Sequence, residues 1–343
     1  MWDLPACLWR HKRKLLIAGG VIGGFAFLQS HLKRKFAEWE LRQTAELRNQ
    51  LQRSSHFEST LKACDSVLIS FAPKIKETVC NILDVNPILE QLKQKSSNKD
   101  LWQQLKILVF AQVLGEMYAQ CLLAVLLRVQ MSILAGYVYA IRSSNKSDGT
   151  NQYEQTLYLS NISNFLTSGI STLLIPIQNC VENVLSSVPL NRPLKLQDVS
   201  DILSAVCKDL SEESLLPNIS SELVQMSNDT TDDYFLQKMC SETRDVLECA
   251  DFERVLSLGV ERGVSFLMDR LSECYVFLSE EKNNFVNPND FAAPLARLIP
   301  MMYKVFSQHE PSEPGALVHA MLQLEPLNTF AANIYESFSQ TEL

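Results

Sequence analysis

One stretch concentrates recognition chemistry: KQKSSNKDLWQQLKILVF, residues 93–110. Its spacing puts Trp102 in the first turn of a helix that follows a polar loop. Lys93, Lys95, Lys99 and Lys106 surround the indole, in a body that is otherwise acidic. On a helical wheel Leu101, Leu105 and Leu108 share a face, with Trp102 and Val109 beside it, and Leu92 on the preceding helix can come alongside. Two readings fit. Trp102 is a core residue with solvated lysines around it, or it floors a lysine-rimmed groove that accepts an amphipathic helix from an acidic partner.

Residues for covalent or acid–base chemistry do not assemble into a motif. There is no phosphate-cradling glycine loop, no G-x-S-x-G, no H-E-x-x-H and no C-x-x-C. His11 and His31 flank an apolar run, while His56, His309 and His319 stand isolated, so general-base candidates are few. ETRDVLE (242–248) reads as a solvated face with internal ion pairs. No residue set nominates an enzyme, a cofactor or a metal site. The nine cysteines are scattered and odd in number, and most lie in apolar periodic segments. Reduced, buried thiols in a cytosolic body are expected. The four N-x-S/T sequons, at Asn145, Asn161, Asn218 and Asn228, then carry no meaning.

Charge divides the chain. Residues 1–53 hold ten Lys or Arg against four Asp or Glu, whereas the remainder is strongly acidic and the whole carries −8. An acidic body argues against nucleic acid. The basic head brackets LLIAGGVIGGFAFL (15–28), which has no charged residue. Gln29, Ser30 and the cluster HLKRK follow it, with no small-residue cleavage site, so an export signal is disfavoured. A soluble core helix would show a polar face, and this run has none. Its 14 residues fall short of the ~17–25 of a usual span. Trp9 to Gln29 is long enough, with flanking Lys and Arg snorkelling to the headgroups. A membrane anchor running from Leu15 to Leu28 is the expectation. Gly19/Gly23 and Gly20/Gly24 form two overlapping G-x-x-x-G pairs that would let another membrane helix approach closely. Basic residues on both sides leave its orientation undetermined.

The elements that position Trp102 follow. Residues 1–35 are read as the anchor with its basic flanks, 36–53 as a charged helical stalk, and 54–343 as a helical bundle. Apolar residues at helical spacing run through 56–83, with a kink expected at Pro73. Asn86-Pro87 opens another helix. CLLAVLLRVQMSILAGYVYAI (121–141) is long enough to span a membrane, but Arg128 and Gln130 sit near its middle. A central Arg costs about 2.5–3.5 kcal/mol on the insertion scale. Gln112, Glu116 and Gln120 form a polar stripe just upstream, so a core helix fits better. Gly136 inside it marks a close helix contact, and a large side chain there should unfold the bundle. Helical patterns return over 151–188, 196–210, 234–249, 252–278, 293–308 and 316–338, the last two interrupted by Pro300 and Pro326. PLNRP (189–193) breaks the chain, and 211–233 and 281–290 read as loops. No alternating pattern lasts long enough for a sheet. The fold class expected is all-α: an N-terminal transmembrane helix followed by a long-helix bundle in the cytosol.

Four patches resemble the peroxisomal biogenesis factor 3 (peroxin-3) family. They are HFES (56–59), SNKDLWQQLKI (97–107), LLRVQMSILAGYVY (126–139), and ETRDVLE together with FAANIYESFS (330–339). The basic–apolar–basic head is similar too. Ala135 stands where the family has a second glycine, the loop before Trp102 is one residue shorter, and 211–233 matches poorly. The resemblance implies a single-pass peroxisomal membrane protein with no catalysis and its bulk in the cytosol. It implies docking of peroxin-19, the soluble receptor for peroxisomal membrane proteins, through that receptor's N-terminal amphipathic helix. Trp102, Leu105, Lys106, Leu92, Lys93 and Lys99 match the groove by position. The alternative is a membrane-tethered lipid-handling protein or enzyme, with the long apolar helices lining a lipid-sized cavity.

Overall fold

The computed structural model describes residues 5–94, 98–143, 152–212, 234–280, 287, 289–308 and 315–340, and for residues 5–42 the backbone alone. The chain divides into two compact units, 1–56 and 57–343.

Helix α1 (Pro5–Ile82) runs without a break where the sequence suggested an anchor, a stalk and a first body helix, and it passes through Pro73. The anchor run with Leu15, Gly19, Gly20, Gly23, Gly24 and Leu28 lies on its backbone, and the side chains there lie outside the described residues. The loop expected at 211–233 lies almost entirely outside them as well.

In the second unit α2 (Asn86–Gln94) leads to α3 (Lys99–Ser143), the longest helix of this unit. Then come α4 (Gln152–Asn164), a π-turn (Phe165–Gly169), α5 (Ile170–Ser186) and α6 (Leu196–Glu212). After 234 follow α7 (Tyr234–Leu247), α8 (Ala250–Glu280), α9 (Leu295–Tyr303), a second π-turn (Lys304–Gln308), α10 (Ala316–Leu322) and α11 (Glu325–Ser339). The pattern over 316–338 is interrupted at 323–324, just before Pro326, which stands in the first turn of α11. The fold is all-α, and one two-residue antiparallel pairing, Pro193 with Pro294 and Leu194 with Ala293, ties the breaks before α6 and α9 together.

Helix α3 is the axis on which the others pack: α2, α4, α5, α7, α8, α9, α10 and α11 all touch it. Length and composition alone would let it cross a membrane, yet 89% of its apolar window is buried inside the bundle. It is a core helix, hydrophobic all round because it is surrounded all round. Two of its long polar side chains are bound internally. Arg128, 2% exposed, pairs with Asp65 of α1 at 2.5 Å and donates to the Leu61 carbonyl at 3.2 Å. Gln112 donates to the Leu83 carbonyl at 2.6 Å, sealing the end of α1. Gly136 faces α11, and a Cβ there would lie 2.7 Å from Phe338 Cβ and 3.1 Å from the Tyr335 carbonyl oxygen. Those distances fix how closely the two backbones approach.

Candidate docking site

The indole is set by two caps. Asp84 Oδ1 accepts from the Asn86 backbone N–H and from its side-chain amide, both at 2.9 Å, which starts α2. Asn98 does the same for α3: its Oδ1 accepts from Asp100 N–H at 3.0 Å, and its carbonyl accepts from Trp102 N–H at 3.4 Å. Trp102 is thereby held in the first turn of α3. Helix α2 buries Leu92 and half-buries Ile88 and Leu89 on the face that packs against α3.

At this end of the bundle burial is graded. Leu105 (1% exposed) and Leu92 (7%) belong to the core, while Trp102, Leu101 and Leu108 pack on that core and stay half-buried. Lys93 and Lys99 are exposed on either side. The layout is an apolar floor, an accessible aromatic and two free-standing cationic stems in solvent. Such a surface can hold the apolar stripe of a helix and attract its acidic side by long-range charge. Among the described residues it offers no nucleophile and no paired acid and base.

Lys106 must be taken off the rim. It is fully buried, and its ammonium donates to the carbonyls of Leu185 at 2.8 Å and Val188 at 3.0 Å. Those groups end α5, where a cation satisfies orphan carbonyls and the helix dipole together. Burial holds the Lys106 pKa below the ordinary lysine value. Helical spacing placed this lysine near Trp102, but its partners lie some eighty residues on and left no local signal.

A contact the sequence did not show comes from α9. Tyr303 Oη donates to Asn86 Oδ1 at 3.3 Å, bringing the end of α9 to the start of α2. Burial, with Cys80 and Asp84 adding to it, raises the Tyr303 pKa. The neighbouring Lys304 is exposed. Elsewhere the buried thiols are poor nucleophiles: burial pushes Cys64, Cys121 and Cys274 up to about 12.

Comparison with known proteins identifies the family. A family model described as Peroxin-3 matches residues 6–100 and 140–337. Peroxisomal biogenesis factor 3 of Cricetulus longicaudatus is 32% identical over 365 residues, covering 99% of this chain and 97% of that protein. Its Homo sapiens counterpart is 32% identical over 358 residues, with 97% and 96% covered. A more distant relative, Peroxisomal membrane protein PEX3 of Komagataella pastoris, is 23% identical over 278 residues, 63% of this chain and 61% of the relative. The chain belongs to the Peroxin-3 family, whose curated relatives are named as factors of peroxisome biogenesis and not as enzymes.

Proposed function

We propose that this chain is a docking receptor of the peroxisomal membrane that binds the soluble peroxin-19 import receptor and so recruits peroxisomal membrane proteins for insertion. Family membership supports the role in peroxisome biogenesis, and the name of the Komagataella relative supports the membrane location. The apolar run at 15–28 is the single-pass anchor, with 57–343 in the cytosol. The carrying observation is the half-buried Trp102 packed on the core to which Leu92 and Leu105 belong, with Lys93 and Lys99 exposed. A core tryptophan of a closed bundle would be covered, and among the described residues no ion pair of Lys93 or Lys99 is seen.

In this reading Trp102 is the anchor that a partner helix covers. Leu92 and Leu105 hold it up from below without touching the partner much, and Lys93 and Lys99 speed the encounter. Lys106 acts on the receptor's shape, by locking α5, and makes no contact with the partner. Truncating a central aromatic hot spot costs ~2–4 kcal/mol.

Calorimetric titration of the full chain in nanodiscs with a peptide of peroxin-19's N-terminal helix tests this. Trp102→Ala is expected to weaken binding at least tenfold while thermal melting stays as in the parent. Parental affinity in a folded variant removes Trp102 from the site, and an unfolded variant returns it to the core.

A further inference from the structure

Away from that end, a cavity of about 490 Å³ opens between α1, α3, α8, the second π-turn and α10. Sites for small molecules span roughly 300–1,000 Å³. None of the docking residues lines it, so the two sites are tested apart. Its apolar wall includes Val113, Met117, Phe266 and Phe306. That wall suits a hydrocarbon chain, and the polar wall decides which head the chain carries.

Burial ranks the charged side chains around the cavity. Lys76, Glu116 and Arg270 line it half-buried. Glu77 lines it too but is exposed, as is Glu273 beside Arg270, so water and salt screen both carboxylates. Arg270 is largely spent: Nη2 donates to the Val305 carbonyl at 2.9 Å, and Nη1 pairs with Glu273 at 3.1 Å. Lys76 differs, because among the described residues its ammonium has no ion pair. Glu116 Oε1 accepts from Gln120 Nε2 at 3.0 Å. Burial raises the Glu116 carboxyl to about 7, against the pull of Lys76, Gln120 and Arg270. Near neutrality it is thus partly the uncharged acid, which can donate. Cys80 also lines the cavity, and burial, with Glu116 adding to it, keeps it a thiol. The second π-turn and α10 bring only Phe306, Gly315, Ala316 and Leu317 to the wall. Positive charge therefore prevails inside, and the fully ionised carboxylates stand in water. A cationic head would leave water to meet Lys76 and Arg270. An anionic head would meet an ammonium with no partner.

We infer that this cavity binds a single-chain carboxylate amphiphile, whose head accepts from the Lys76 ammonium while its hydrocarbon lies against Met117, Phe266 and Phe306. Glu116, when protonated, donates to the same head. One free ammonium matches one negative charge, which favours a carboxylate over a phosphate dianion. Binding then has a pH sign. An anion beside Glu116 favours its protonated form, so affinity rises as pH falls from about 8 to about 6, where the ligand's own carboxyl stays ionised.

The test uses soluble probes of one shape: 4-phenylbutanoate, 4-phenylbutanol and 4-phenylbutylamine. Binding to the full chain in phosphatidylcholine nanodiscs is read by ligand-observed NMR, with empty nanodiscs subtracted. At neutral pH the carboxylate is expected to bind about tenfold more tightly than the alcohol, and the amine more weakly than either. Lys76→Met keeps the stem and is expected to erase the preference for the carboxylate while leaving the alcohol unchanged. Should that variant fail to fold, Lys76→Gln must show the same loss. Carboxylate affinity of the parent should fall about 3–10-fold from about pH 6 to about pH 8, and Glu116→Gln, which keeps a donor but has no proton to lose, should flatten that profile. The inference is overturned by alcohol or amine binding as tightly as the carboxylate, by a carboxylate preference that survives the Lys76 substitutions, by a parental affinity that is flat with pH, or by no binding of any probe.

Discussion

The first turn and the middle of α3 belong to one helix and are built on opposite principles. In the middle, every direction faces another helix, and two long polar side chains bind protein groups there: Arg128 takes Asp65 and the Leu61 carbonyl, and Gln112 takes the Leu83 carbonyl. At the first turn Lys99 is exposed, as is Lys93 at the end of α2, and Trp102 is half-buried over a closed core. Lys106, one turn further along α3, already belongs to the middle, because it is buried and spends its charge on the end of α5. Cations of one helix therefore divide by whether the bundle uses them. Used ones hold the fold, and unused ones are available to a partner.

Four variants sharpen or break that division. Arg128→Ala should have the largest effect, because it strands Asp65 and leaves a hole where a guanidinium was enclosed. Breaking a buried pair from one side costs about 3–5 kcal/mol, read as a lower urea midpoint with an unchanged slope. Loss of under ~1 kcal/mol would mean the pair is dispensable. Next, Lys106→Met keeps the stem and removes the donor from the Leu185 and Val188 carbonyls. Stability should fall by about 1–3 kcal/mol while affinity for the partner helix stays as in the parent. A loss of affinity with stability intact would put Lys106 back on the rim.

Glu116 gives a pH test within the buried part. Burial raises its carboxyl from 4.5 to about 7, against the pull of Lys76, Gln120 and Arg270. The folded chain therefore holds this proton more firmly than the unfolded chain does. The resulting stability is complete below the unfolded value and is lost as pH rises through the folded one. Glu116→Gln should then gain on the parent between about pH 5 and pH 8, by an amount on the order of 1–3 kcal/mol. A pH-independent difference would contradict the raised value. The smallest effect is kinetic. Lys93→Glu with Lys99→Glu should leave melting unchanged and slow association with the partner helix about 3–10-fold at low salt, a difference that shrinks at high salt. Association that ignores both charge and salt would detach the lysines from docking.

How much of this was legible in the sequence follows the range of the interactions involved. The all-α class was legible, because 3.6-residue periodicity is local. Arg128 and Gln130 inside an apolar run already argued for a core helix over a span, although Asp65 as the partner could not be read. The continuity of α1 through residues 5–82 was not legible, because its composition changes from apolar to charged to amphipathic while its backbone does not. The break expected near Pro326 was legible: the pattern over 316–338 stops at 323–324, and a proline in a first turn costs no hydrogen bond, so Pro326 begins α11. Pro73 lies inside α1 without ending it. At the proposed site, the burial of Leu92 and Leu105 and the half-burial of Trp102 are what helical spacing leads one to expect. Lys106 escaped because its partners are far along the chain, and Tyr303 escaped because α9 reaches α2 only in three dimensions.

The central claim is that a partner helix covers the indole of Trp102. The chain has four tryptophans, at 2, 9, 39 and 102, so replacing Trp2, Trp9 and Trp39 with Phe leaves one reporter. Emission of that variant in nanodiscs, titrated with the peroxin-19 helix, should shift to the blue and become several-fold less accessible to acrylamide, saturating with the calorimetric affinity. Saturated binding with emission and quenching unchanged would contradict the account.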